Sequence, residues 1–345
     1  MKTTGRILLL MTLFSGCLMT AAFAQAAPYH VLREIRIGGE GGWDYVVADS
    51  RARHLYVSHA TKVIVVDLDS EKIVGEIANT NGIHGVALAP EFGRGFTSNG
   101  RDATVTIFDL KSLAVIGMAK TGGNPDAIVY DPATKRVFTF NRMRADATST
   151  VIDAASGSVI KTITLGGRPE FAVSDEKGKI FVNLDDKNEV AVIDTKEMTV
   201  GPRWSLAPGE GPSGLAIDLK NRRLFSVCEN EKMIVMNADN GKVIAALPIG
   251  KGTDGAAFDA ANGLAFSSNG GDGTLTVVHE DAPDRFRVVA NVKTMPGART
   301  MTVDAKTHRL YLPTAQFGPP ASTPERPRTR PAAVPGSFMI LVVGK

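Results

Sequence analysis

Seven aromatic residues recur at nearly equal intervals along this 345-residue chain. They lead seven short strand-like segments: Tyr56-Val57-Ser58, Phe96-Thr97-Ser98, Phe138-Thr139-Phe140, Phe181-Val182-Asn183, Phe225-Ser226-Val227, Phe266-Ser267-Ser268 and Tyr311-Leu312-Pro313. The aromatics are 40, 42, 43, 44, 41 and 45 residues apart. A period in the low forties, with room for four short strands per unit, is the signature of a β-propeller. Length alone would suggest two domains. The repeat overrides that count and predicts one all-β, seven-bladed β-propeller over residues 29–345.

The rest of each unit agrees. Gly-rich links such as Gly122-Gly123-Asn124-Pro125 precede a first strand, and turns such as Asp131-Pro132-Ala133-Thr134-Lys135 join it to the second. β-Branched runs such as Val190-Ala191-Val192-Ile193-Asp194 form a third strand. A hairpin such as Asp239-Asn240-Gly241-Lys242, whose Asn-Gly favours positive φ, leads to a fourth. Helical periodicity is absent from the chain beyond its leader. The last unit stops after three strands, and an orphan segment, His30 to Ile37, precedes the first. This N-terminal strand is expected to supply the missing fourth strand of the last blade and close the ring. Residues 317–337 are Pro-rich and basic; they read as a long loop inside the last blade, because proline cannot donate to a ladder.

Residues 1–24 read as a secretory signal peptide, with cleavage near 24–26. Lys2 and Arg6 form its positive end, Ile7 to Leu18 is mostly apolar, and Ala22-Phe23-Ala24 and Ala24-Gln25-Ala26 offer small residues for cleavage. A periplasmic or secreted protein is expected. Leu13-Phe14-Ser15-Gly16-Cys17 is a loose lipobox and leaves a lipoprotein as the lesser alternative. Without Lys2 and Arg6 the chain has 37 basic residues against 36 acidic, so net charge gives no general pull on nucleic acid or anionic lipid. Loss of Cys17 with the leader would leave only Cys228, read as a small buried hydrophobe, and no intrachain disulfide.

The repeated unit resembles the YVTN-repeat (YncE-like) family of bacterial β-propellers. The likeness spans about residues 30–345 and is carried by Tyr56-Val57-Ser58-His59, Phe96-Thr97-Ser98-Asn99 and Phe138-Thr139-Phe140-Asn141, none of which has the literal four letters. The resemblance implies the propeller fold and leaves function open, since the family includes members without assigned activity and members that bind DNA. Related propellers host lactonases and lyases, an analogy of fold alone.

Alternating strand directions place the start of each first strand and the end of each second strand at one end of the ring. The first set reads Asp44, His84, Asp126, Glu170, Ser213, Asp254 and Arg299. The second reads His59, Asn99, Asn141, Asn183, Glu229, Asn269 and Gln316, with Arg101, Arg142, Arg144 and Asp185 just beyond. The repeated Asn residues can equally cap turns by bonding their own backbone. The first set differs from blade to blade, and four carboxylates, two histidines and an arginine gathered at one mouth would shift each other's pKa values unless a ligand or metal balanced them. The expected ligand-binding residues are Asp44, His59, His84, Asn99, Arg101, Asp126, Asn141, Arg142, Glu170, Asn183, Glu229, Asp254, Asn269 and Arg299.

Three readings of that mouth stand side by side. Arg101, Arg142, Arg144, Arg168 and Arg299 suit a small anionic or sugar-like ligand. Asp44, Glu170 and Asp254 suit a hard cation such as Ca²⁺, and a metal-dependent lactonase-like hydrolase or lyase would then use His59 or His84 as general base. His59 and His84 together could hold a transition metal, although no closely spaced ligand motif supports it. The leading reading is a binding or scaffold propeller, monomeric, with a small ligand or a protein partner at the mouth; the enzyme is its alternative. Nucleic acid is disfavoured by the near-neutral charge and the scarcity of mouth aromatics. The sequence contains no phosphate loop, nucleophile elbow or haem-attachment motif.

Overall fold

A computed structural model describes residues 29–143, 147–319 and 332–345. The expected leader, Arg144 and most of the Pro-rich insertion lie outside the described residues. Seven four-stranded antiparallel sheets form the ring. Blades 1 to 6 span residues 46–77, 83–120, 125–164, 169–205, 212–248 and 253–293. Blade 7 takes Thr302–Asp304, Arg309–Thr314 and Met339–Gly344, and its outer strand is His30–Arg36 from the N-terminus. That strand pairs antiparallel with Met339–Gly344, from His30 opposite Gly344 to Arg36 opposite Met339. The expected closure is therefore the observed one. Among the described residues helix is limited to one 3₁₀ turn, Pro90–Phe92, and no described helix is long and apolar enough to cross a membrane.

The repeated aromatics explain why the blades assemble. Each of Tyr56, Phe96, Phe138, Phe181, Phe225, Phe266 and Tyr311 is fully buried. Each belongs to a different apolar cluster, and the seven clusters fill the seven clefts between neighbouring blades. One aromatic of this size removes roughly 150–250 Å² from water, a gross gain of about 4–6 kcal/mol before entropy is counted. A single blade cannot bury that surface alone, so the ring is the smallest unit that satisfies the repeat.

A second set of links sits at the end of the ring where each inner strand finishes. Asp304 of blade 7 accepts from Arg53 of blade 1, Asp131 from Ser174, Asp175 from Arg222, and Asp259 contacts His308. Within its own blade, Asp304 also accepts from Lys306 N and Thr307 Oγ1, so one carboxylate caps a turn and ties two blades. The expected loop at 317–337 starts as a short ladder: Phe317 bridges Ala333, Gly318 N donates to Ala332 O and Val334 N donates to Gln316 O.

Candidate functional site at the channel mouth

Inner strands do not run cleanly to their first residue. Register shifts fall between Ile83 and Val86, Pro125 and Ile128, Pro169 and Ala172, Pro212 and Leu215, and Thr253 and Gly255. Each irregularity contains the residue expected at the mouth: His84, Asp126, Glu170, Ser213 or Asp254. A bulge breaks the two-residue alternation and re-aims the side chain. Asp44 and Arg299 reach the same place from just ahead of their strands.

The charged residues of this set form one continuous network. Arg299 Nε donates to Asp254 Oδ2 at 2.7 Å, and Nη2 reaches Asp44 Oδ1 at 3.4 Å and Trp43 O at 3.1 Å. Asp44 Oδ2 lies 2.6 Å from His84 Nδ1, which lies 3.4 Å from Asp126 Oδ1. Arg142 then bridges Asp126 Oδ2 at 2.9 Å, Glu170 Oε1 at 2.5 Å and Asp185 Oδ2 at 3.1 Å. Arg168 Nε completes the series on Asp185 at 2.7 Å. Ser213, in the one remaining blade, donates its hydroxyl to Thr253 O. Tyr45 of blade 1 is buried beneath the network and meets Phe171 of blade 4 edge-on, with ring centroids 5.0 Å apart, so an aromatic pair spans the channel below the charges.

The backbone under these side chains is pinned from neighbouring blades. Ser98 donates to Asp126 O, Asn183 to Ser213 O, Ser268 to Arg299 O and Thr300 to Asp44 O. Three of these donors stand two residues after a lead aromatic. Of the three, the sequence reading named only Asn183 for the site, and as a ligand residue; Ser98 and Ser268 carried the same signal.

Burial makes the network's protonation unusual. It pushes Glu170 up to about 9, with Asp126 adding to the effect and Arg142 only partly opposing it. Asp254 rises to about 6 for the same first reason, against Arg299. Asp126 is raised by burial and by Asp44. Burial works against a charge on His84, but the hydrogen bond to Asp44 and the Asp126 carboxylate outweigh it and raise the imidazole. Three guanidiniums face five carboxylates, and the network balances that excess by holding protons, on Glu170 first and on His84.

Among the described residues, no hydrogen bond or ion pair joins His59, Asn99, Asn141, Asn183, Glu229 or Asn269 to this charged network. Asn99, Asn141 and Asn269 are fully buried. Each donates to two threonines of its own blade and accepts one hydroxyl: Thr104, Thr106 and Thr97 for Asn99; Thr148, Thr150 and Thr139 for Asn141; Thr274, Thr276 and Ser267 for Asn269. They are internal braces of the sheets. The equivalent residue, three after the lead aromatic, is Leu184 in blade 4 and Cys228 in blade 5. Asn183 and Glu229 are therefore one position off the repeat. Asn183 braces blade 5, and Glu229 stands exposed against Gly211. His59 is buried, stacks on Phe338 at 4.4 Å, and is shifted towards its neutral form by burial. Among the described residues, no hydrogen bond or ion pair joins it to the network. Arg101 is exposed beside Gly82, outside the ion pairs.

Of the three metal candidates, Glu170 and Asp254 are held by Arg142 and Arg299. The described residues contain a different compact set that could hold a metal ion: Asp44, His84 and Asp126, with one ligand atom from each lying within 4.8 Å of the others.

No protein-family model matches the chain, and no curated protein matches it either. Solved structures do. A chain of Kuenenia stuttgartiensis hydrazine synthase is similar at 17% identity and TM-score 0.70, over 79% of this chain and 92% of that one. A structure of U3-55K is similar at 10% identity and TM-score 0.72, over 92% and 99%. The WD40 repeats of RRP9 match at 10% identity and TM-score 0.72, over 92% and 98%. At these identities the likeness shows the seven-bladed fold alone.

Proposed function

We propose that this protein is an exported, YncE-like binding propeller that takes a small cation, a metal ion or an amine, at its channel mouth. The carrying observation is the carboxylate excess of the network: five carboxylates against three guanidiniums and one histidine, all partly or fully buried, balanced by protons that a cation could replace. Such a group must hold protons or a cation. An anionic ligand is poorly served, because Arg142, Arg168 and Arg299 are already neutralised by carboxylates 2.5–3.4 Å away. A metal-assisted hydrolase or lyase is the second reading, and the 2.6 Å contact of Asp44 with His84 favours it by offering an oriented imidazole for proton transfer.

A thermal-shift series on the purified protein tests the first reading. Zn²⁺, Mn²⁺, Ca²⁺ and spermidine are compared with citrate and glucose 6-phosphate, in the parent and in Asp126→Asn. Cations are expected to raise the midpoint in the parent only. Stabilisation by the anions alone would reverse the assignment. For export, N-terminal sequencing of the periplasmic fraction is expected to begin at Gln25 or Ala27; an unprocessed cytosolic chain would remove that part.

A further inference from the structure

We infer that Asp44, His84 and Asp126 form an inner-sphere site for a first-row divalent metal ion, with Zn²⁺ or Mn²⁺ as occupant. This rests on the cation reading above and narrows it. The residues come from three consecutive blades, so the fold and not a local motif creates the set.

Two independent observations support it. The donor atoms cluster: His84 Nδ1 is 2.6 Å from Asp44 Oδ2 and 3.4 Å from Asp126 Oδ1. In addition, Asp126 is only 3% exposed, yet its Oδ1 is a buried oxygen without a hydrogen-bond partner. Buried acceptors are almost always satisfied, so an orphan facing an imidazole and a second carboxylate marks a place for a ligand.

The surroundings suit coordination. Each carboxylate keeps one oxygen for the cluster and gives the other to an arginine, Asp126 Oδ2 to Arg142 and Asp44 Oδ1 to Arg299. Outer partners of this kind orient metal ligands. Ser98 and Thr300 fix the two aspartate carbonyls, so little must move. Donors about 2.1 Å from a tetrahedral ion stand about 3.4 Å apart. The His84–Asp126 pair already has that separation, the His84–Asp44 contact must widen, and all three donor atoms lie within 4.8 Å of one another. One imidazole with two carboxylates favours Zn²⁺ or Mn²⁺ over Ca²⁺, whose sites are built from oxygen alone. Three protein ligands leave at least one position for water or a bound molecule, and the His84 side chain, 27% exposed, lies on the solvent side.

Calorimetric titration of the EDTA-stripped mature protein with ZnCl₂ is the test, supported by the visible absorption of a Co²⁺ complex. One equivalent is expected. Affinity should fall at least tenfold in Asp126→Asn and in His84→Ala, with the Co²⁺ band lost in the latter. His279→Ala, which removes a histidine–aspartate pair elsewhere in blade 6, should bind as the parent does. Thermal unfolding of each variant establishes that it is folded, and Asp126→Asn retains shape at that position. Parent protein that binds neither Zn²⁺ nor Co²⁺, or variants that bind them equally well, would overturn the site. If metals fail while spermidine still stabilises the parent and not Asp126→Asn, the metal assignment falls and the cation reading stands. If neither class of cation acts, both fall.

Discussion

Replacing Asp304 by Asn removes one charge from the seam where blade 7 meets blade 1. Asp304 is fully buried, and both of its oxygens accept from Arg53 Nη1, at 2.9 and 2.8 Å. Burial alone would raise its pKa. Hydrogen bonds from Ser50, Thr307, Arg53 and the Lys306 amide outweigh that and hold it at about 2, against 3.8 for a free side chain. A folded-state pKa below the unfolded value stabilises at higher pH. The stabilisation is complete above about pH 4 and is lost as pH falls through 2. The gap between the two pKa values corresponds to about 2–3 kcal/mol at neutral pH. Asn keeps one oxygen for the turn, so the substitution isolates the charge; it also leaves Arg53 without its buried counter-ion. A loss of about 3 kcal/mol follows, or roughly 6 °C in the thermal midpoint of a chain this long. Urea unfolding of parent and variant at pH 7 and pH 3 measures it. At pH 3 the expected gap is roughly half, because the unfolded aspartate is by then mostly protonated. A gap that is absent at pH 7, or equal at both pH values, would show that the Asp304 charge does not hold the seam.

Deleting His30–Arg36 strips the outer strand from Met339–Gly344 and should lower the midpoint by more than 10 °C or prevent folding, about 5 kcal/mol at the low end of the midpoint scale for a large domain; an unchanged midpoint would contradict ring closure. Asn141→Ala and Asn269→Ala each unpair buried hydroxyls and should cost about 2–4 kcal/mol while leaving cation titrations unchanged. Lost binding in a fully stable variant would return these residues to the site. Burial, reinforced by Asp218, raises Glu280 to about 7, so its ionisation opposes folding as pH climbs from about 4.5 through 7. Glu280→Gln should therefore gain on the parent between pH 5 and pH 8, by under about 1 kcal/mol for so solvent-screened a group; parallel stability profiles would count against the shift.

The fold was legible because its driving force repeats. Each lead aromatic must fill an interblade cleft, so its spacing reports the size of a blade directly, and the three-strand final unit required a strand from elsewhere. Within the second set, Asn183 departs from the other asparagines for a reason visible in blade 4. The repeat fixes an offset of three from the lead aromatic, which selects Leu184, whereas the polar Asn183 one position earlier looked more like its counterparts. In a strand, one position means the opposite face. Asn183 consequently braces the neighbouring blade, while Asn99, Asn141 and Asn269 face the threonines of their own.

The charged residues of the first set do meet in one network, but the inference that singled them out needs changing. Variation from blade to blade suggested a ligand, because a purely structural ring could repeat one residue. Seven aspartates at one mouth would repel, however, and seven arginines likewise. A ring of buried charges can persist only if signs alternate, as Asp254, Arg299, Asp44, His84 and Asp126 do around five successive blades. Unlike residues are thus already required by folding. What folding does not require is a surplus of carboxylate, or an Asp126 oxygen left buried without a donor. A ring selected only for closure has no use for that oxygen, because the Arg142 contact occupies the other oxygen of Asp126. That orphan oxygen of Asp126, and not the diversity of the ring, is the feature that points to a bound cation.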